Sequence, residues 1–279
     1  MQWNWREREE GRVGKHRDQA TQAPRQERPA QNRSLERGLE ILRGFRPGVD
    51  LMGNGEIAEN TGIARATVSR LTQTLARAGM LEYDPAARAY RLGAATLSLA
   101  LAMRSSNPVL VVASPLMRAA SEKFRANAGL ATADRDEMVY LESFRYNRRS
   151  VLRTIVSGQR VPMELTSLGL AYLAVASDER RREFLSRLRA RGTAKFNIAE
   201  RQILLACNRL REVGFCEASW QPEVVAIAAP IVLPSLSIYV VNMSVSTTEP
   251  LESVVAELRG PLLKLRDAIR AALFAKLSP

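Results

Sequence analysis

The chain has 279 residues, of which 46% are hydrophobic, enough for about two domains with buried cores. Its formal net charge of +12 and sequence pI near 10.4 point to a polyanionic partner, although an arginine-rich proteome gives the same bias without one. No apolar run reaches the roughly 18 residues that span a bilayer. The N-terminus lacks a secretory core, and two cysteines, Cys207 and Cys216, suit a reducing compartment, so a cytoplasmic chain with no membrane partner is expected.

Residues 1–32 mix Arg, Glu, Gln and Pro with few aliphatics and are expected to form a disordered arm. The arm holds His16, the one histidine of the chain, with Trp3 and Trp5; a passive tail is favoured there over an arm that touches DNA. Ser34 is placed to cap a first helix with Leu35, Leu39, Ile41, Leu42 and Phe45 on its buried side, ended by Pro47 and Gly48. From Gly55 to Leu92 the pattern is a short helix, a turn at Gly62, a longer helix, and two extended runs joined by Asp84 and Pro85. That is a winged helix-turn-helix in which glycine supplies the positive φ of the turn.

In the longer helix Val68, Leu71, Leu75 and Ala78 recur at helical spacing and predict its buried stripe. The opposite face carries Arg65, Thr67, Ser69, Arg70, Gln73 and Arg77 and no acid, which suits a groove lined by phosphates and base-edge acceptors. An ordinary solvated face is the competing reading. Arg88 and Arg91 of the wing are placed to reach phosphates, and Arg91 equally suits a solvated strand position.

Gly93 to Ser105 reads as a helix apolar on more than one face, so it needs a partner beyond its own domain and is expected to link domains and form a dimer. Asn107 and Pro108 break it before a helix from Val109 to Asn127. Strands are predicted at 129–134, 138–144 and 150–156, with a turn at Asp136 and Glu137. Helices at 166–175, 178–191 and 198–213 follow, then strands at 216–219, 224–229 and 236–246, and a helix at 251–277 open to interruption at Gly260 and Pro261. The run Arg180 to Arg182 is flanked by Glu179 and Glu183 and reads as a solvated helix face. Cys207 and Cys216 have no neighbouring histidine, so buried thiols are expected and no metal or cofactor. Interleaved helices and strands make the second domain α+β or α/β.

Three runs carry a resemblance to the IclR family of bacterial transcriptional regulators: EIAENTGIARATVSRLTQTLARAGMLEYDPAARAYRLG from Glu56, GQRVPMELTSLGLAYLA from Gly158, and AIAAPIVLPSLSIYVVNMSVS from Ala226. The chain resembles that family from Arg33 onward. Beyond the arm (1–32), the resemblance implies an α+β chain divided into a winged helix-turn-helix (33–93), a linker helix (94–106) and a GAF-like α/β effector and oligomerisation domain (107–279). It implies homodimers, often paired into homotetramers, that bind partly palindromic double-stranded operators. It also implies a small organic effector, often an aromatic or keto acid, in a pocket that carries over to Met163, Leu165, Thr166, Ser167, Ala226, Ala228, Ser244 and Ser246. The DNA contacts would be Arg65, Thr67, Ser69, Arg70, Gln73, Arg88 and Arg91. The family usually has a histidine or similar residue where Glu164 stands and a lysine or arginine where Leu170 stands, and the stretch Cys216 to Val225 is shorter and lacks its acidic pair. With Glu164 and Glu223 near the pocket, the effector is expected to be less anionic than usual, or the pocket degenerate.

Two other classes compete. An enzyme would have to rely on Glu164, Glu217 and Glu223, since the folded region has no histidine for a triad or metal site. A scaffold whose winged helix binds protein fits poorly with an acid-free recognition face. Repression and activation use the same parts.

Overall fold

The computed structural model describes residues 32–146, 156–192, 196–221, 223–234 and 236–277. Residues 1–31 of the expected arm, His16 among them, and residues 150–155 of the expected strand over 150–156 lie outside them.

The first unit is α1 (Arg33–Gly44), α2 (Asn54–Thr61), α3 (Arg65–Arg77) and an antiparallel hairpin of β1 (Leu81–Asp84) and β2 (Ala89–Leu92). Its core is small: Ile41, Phe45, Met52, Ile57, Val68, Leu81 and Tyr90 are buried, with Leu42, Leu71 and Leu75 packed against them. Asn32, one residue outside the helix, caps α1 by accepting the Leu35 N–H at 3.1 Å, so the expected Ser34 cap shifts by two residues. Leu35 and Leu39 were expected on the buried side and are instead 60% and 49% exposed, because the core contacts α1 through Ile41 and Phe45 at its C-terminal end. On α3 the buried stripe runs through Val68 and Thr72, whereas Ala78 ends the helix in solvent. Thr72 escapes a hydrophobicity count because its hydroxyl is satisfied internally, bonding Asn54 Oδ1 at 3.1 Å and the Val68 carbonyl at 3.0 Å.

Gly93 donates its N–H to the Met80 carbonyl at 2.8 Å, which seats α4 (Ala94–Ser106) against the end of the wing. Asn107 ends α4 and caps α5 (Pro108–Phe124) by accepting the N–H groups of Val109 and Leu110; the two helices meet at 80°. No single helix among the described residues is long and apolar enough to cross a membrane.

The second unit is a six-stranded antiparallel sheet in the order β5-β4-β3-β8-β7-β6. Its strands are β3 (Asn127–Asp134), β4 (Glu137–Phe144), β5 (Arg160–Pro162), β6 (Cys216–Gln221), β7 (Val224–Ile231) and β8 (Tyr239–Ser246). The three-residue β5 was not read in the sequence; it pairs with the start of β4, Glu137 opposite Pro162. Both faces of the sheet are covered, so its central strands are apolar on both sides. Val225, Ile227 and Ala229 of β7 pack with α5 and with α9 (Leu251–Leu277). Ala228 and Val240 face α6 (Ser167–Val175), α7 (Asp178–Ala190) and α8 (Phe196–Val213). Pro261 does not interrupt α9, because Val254, Leu258, Leu262, Leu265 and Ile269 keep one buried stripe on both sides of it.

Candidate nucleic-acid interface and effector cavity

The turn between α2 and α3 is closed by Gly62, which stands at φ 68°, a left-handed conformation that costs other residues more, and donates its N–H to the Ala58 carbonyl. The helix that follows has no acid in its first turn, so its positive dipole end is uncompensated and open to an anion. Arg65, Arg70 and Gln73 are exposed, and Thr67 and Ser69 are half-buried beside them. Arg65 lies 3.5 Å from Glu59, with both side chains about three-quarters exposed, a pair weak enough for a phosphate to displace. All five sequence-predicted residues of α3 are thus exposed or partly exposed on the helix surface.

The wing behaves differently at its two arginines. Arg91 is paired with Asp84 across the hairpin. The N–H of Ala87, the N–H of Ala86 and the Arg91 guanidinium hold the Asp84 carboxyl below its usual range. Arg91 therefore braces the wing in this structure, through a pair with Asp84 that neither of its two sequence readings included. Arg88 sits exposed at the hairpin tip, itself in a left-handed conformation with φ 51°.

In the second unit the segment after β5 turns sharply into α6. Thr166 caps that helix: its hydroxyl accepts the Gly169 N–H at 3.2 Å and donates to the Pro162 carbonyl at 2.7 Å. Gly169 is required there, because a Cβ would lie 2.1 Å from the Met163 carbonyl oxygen. Met163, Ser167 and Ala228 are thereby locked into the core beneath α6, and Ala226 and Ser244 are buried cross-strand partners on the same sheet face. Ser246 is exposed at the strand end.

A cavity of about 760 Å³ opens beside this region, between α6, α8 and the edge strand β6. Leu165, Leu170, Leu205, Arg209, Cys216 and Glu217 are among its walls. Of the eight residues expected to touch an effector, Leu165 is the one that lines it among the described residues. Of the other seven, Ala226 and Ala228 sit one strand further in, where Ala218 pairs with Ala226 and Cys216 with Ala228, Ser244 and Ser246 are on β8 beyond them, and Met163, Thr166 and Ser167 are at the start of α6. Sequence reading missed Arg209 and Leu205 on this wall, and singled out Glu217 only as an acid of the competing enzyme class. The spacing of Gln202, Leu205, Arg209 and Glu212 along one face of α8 was a usable signal, because all four line the cavity.

The cavity wall is chemically mixed. Arg209 pairs with Glu217 at 3.3 Å and lies over the Phe215 ring at 5.7 Å, while its buried Nε has no hydrogen-bond partner among the described residues. Burial, reinforced by the neighbouring Cys207, pushes the Cys216 thiol up to about 12, which makes it a neutral wall atom and not a nucleophile. Glu164, expected beside the effector, instead lines a separate cleft with Arg187 and Arg191, and Glu223 is exposed at the β6–β7 turn. Two of the three candidate acids line different cavities, Glu217 the one beside α8 and Glu164 the other cleft.

The profile of the IclR helix-turn-helix domain matches residues 34–85, and that of the bacterial transcriptional regulator IclR C-terminal region matches residues 101–271. The chain is 32% identical over 255 residues to the HTH-type transcriptional regulator TsaQ1/TsaQ2 of Comamonas testosteroni, covering 88% of this chain and 91% of that protein. The crystal structure of an IclR family transcriptional regulator from Brucella abortus superposes with a TM-score of 0.77 at 31% identity, covering 86% of this chain and 91% of that one. An IclR homologue from Microbacterium hydrocarbonoxydans, crystallised with 4-hydroxybenzoate, shares the fold at TM-score 0.61 and 23% identity, with 85% and 99% of the two chains covered. The chain belongs to the IclR family of transcriptional regulators.

Proposed function

We propose that this regulator reads a partly palindromic operator with α3 of two copies, and that a small organic acid in the cavity beside α6 controls that binding. The observation that carries the reading is the acid-free face of α3, with Arg65, Arg70 and Gln73 exposed at helical spacing. Arginine offers two donors to the O6 and N7 of guanine and glutamine pairs with adenine, so this face can discriminate sequence as well as hold phosphate. Thr67 and Ser69 would complete the base-edge set, and Arg88 would hold phosphate beside the groove.

The division proposed is a DNA-binding head at 33–93, a linker helix at 94–106 and an effector and oligomerisation domain at 107–279. Self-association rests on α4, where Leu97, Leu99, Leu101 and Met103 are 44–62% exposed, a density of apolar surface that a second copy would cover. A cytoplasmic, non-catalytic role follows from the operator as partner.

The effector class follows from the cavity wall. Arg209 supplies a cation with an unpartnered Nε, and the leucines supply an apolar surface, a combination suited to an aromatic or keto acid. That the Microbacterium homologue was crystallised with 4-hydroxybenzoate supports the same class. The test is selection of bound genomic fragments by the purified chain, followed by footprinting. A protected partly palindromic site, released by an aromatic or keto acid, is the expected result; enrichment of no sequence over background would refute the reading.

A further inference from the structure

Among the described residues, the linker helix and the head each reach the C-terminal domain through arginine–carboxylate pairs, on β4 and on the turn that leads into it. At one end Arg104 of α4 donates to the Leu141 carbonyl at 2.6 Å and to Glu142 at 2.7 Å. At the other end, three arginine–carboxylate pairs join α1 and the residue just after its cap to the β3–β4 turn. Arg43 grips Asp134 at 2.8 and 3.0 Å, Arg46 grips Glu137 at 2.9 and 3.1 Å, and Arg135 of the turn reaches back to Glu40. The charges alternate across the junction, so each arginine meets a carboxylate through both of its terminal nitrogens, the strongest geometry that such pairs adopt.

The acids of this junction are held from behind as well. Arg160 of β5 contacts both Asp134 and Glu137, and its side chain is 18% exposed. Two residues after Arg160, β5 ends and the chain enters Met163–Ser167, the segment that turns into α6 beside the cavity. A shift of that segment therefore reaches α1 through one arginine and two carboxylates, without passing along α4. The same turn also stands close to the operator-reading face: Arg135 shares a cleft of about 710 Å³ with Gly62, Ala64 and Thr67 at the start of α3.

We propose that this ionic junction is a clasp that fixes the position of the head on its own C-terminal domain, and that Arg160 is the bridge by which the effector segment loosens or tightens it. The proposal rests on the reading of the head as the operator reader and of the 163–167 segment as effector-bearing. It gives the head two attachments, one covalent through α4 and one electrostatic through α1, and an electrostatic one is the kind that a small displacement can switch. Glu40 and Arg135 are 37% and 58% exposed, so reversing them perturbs no core.

The experiment is a spin-label distance measurement within one chain. Labels are placed at the exposed Glu82 of the wing and Arg201 of α8, in protein diluted with unlabelled chain so that distances between copies do not contribute; the native Cys207 and Cys216 are buried. Glu40→Arg and Arg135→Glu should each broaden or shift the distance distribution, and the double variant should restore the wild-type one. Arg160→Gln should broaden it with every α1 charge in place. Raising salt from 0.05 to about 1 M should broaden the wild type as well, because the Debye length falls to about 3 Å. A distribution unchanged in either single reversal, or unrestored in the double, overturns the clasp. One unchanged in Arg160→Gln overturns the bridge. No DNA and no effector enter the measurement, so its failure and a failure to find an operator are separate results.

Discussion

The head and the C-terminal domain carry their sites in opposite ways. On the head, Arg65, Arg70 and Gln73 stand on the outside of one helix, so nine consecutive positions hold much of the candidate interface and helical periodicity alone brings them together. In the C-terminal domain, the cavity is assembled from Leu165 before α6, Arg209 on α8 and Cys216 on β6, which meet because a sheet edge folds under two helices. A site on one element is written in the local pattern, whereas a site between three elements is written in their packing. The residues after β5 show the cost: Thr166 looked like a ligand contact and is a helix cap with both its hydrogen-bonding roles used.

The two units should separate most clearly when the head core is damaged. Ile41→Ala removes a fully buried side chain from a cluster with few members and should cost about 2–5 kcal/mol. Thermal unfolding should then show the head melting before the C-terminal domain; a single unshifted transition would mean that the two units share one core. Next in size, Thr166→Ala should cost about 1 kcal/mol as a lost cap. It should also raise hydrogen exchange at Gly169 with no change in operator affinity, and an operator defect without altered exchange would make Thr166 more than a cap.

Smaller still, Arg88→Ala should lower operator affinity evenly across sequences and reduce the log–log salt slope by about 1, as loss of one phosphate contact does. A changed sequence preference would move Arg88 from backbone to base contact. The smallest effect concerns acid. Hydrogen bonding to Arg135 holds the Glu40 carboxyl below its usual range. At Asp134 burial acts upward, but the hydrogen bonds and charges of Arg43 and Arg160 outweigh it, so that carboxyl is lowered too. Carboxylates depressed in the folded state contribute stability above their ordinary pKa of about 4, and that contribution is lost as pH falls through the lower folded value. The distance between the wing and α8 should therefore be constant from pH 7 to about 5 and broaden below about 4; broadening near neutrality would require another titrating group.

Much of the fold was legible because the helices and strands obey their periods. The order of parts from α1 to α9 follows from apolar spacing and from breakers such as Gly62, Asn107 and Pro108. The misreadings have physical causes. Leu35 and Leu39 carry helical spacing but project past the edge of a small core, and Thr72 is polar but buried with its hydroxyl satisfied. The interior of β5 is too short to show a period, though Arg160 on it holds two acids from another turn. Arg209 was hidden for the reason that made Arg70 visible: an arginine on a helix face reads as solvated until something is known to pack beside it.

The central claim is that α3 reads sequence through its exposed arginine and amide face. The most direct test is the affinity of wild type and Arg70→Ala for a selected operator duplex and for a scrambled duplex of equal length, by fluorescence anisotropy at one salt concentration. The operator-over-scrambled ratio should fall about 10- to 100-fold in the variant, the worth of one bidentate base contact, while circular dichroism and scrambled-duplex affinity change little. An unchanged ratio in a folded Arg70→Ala protein would contradict it.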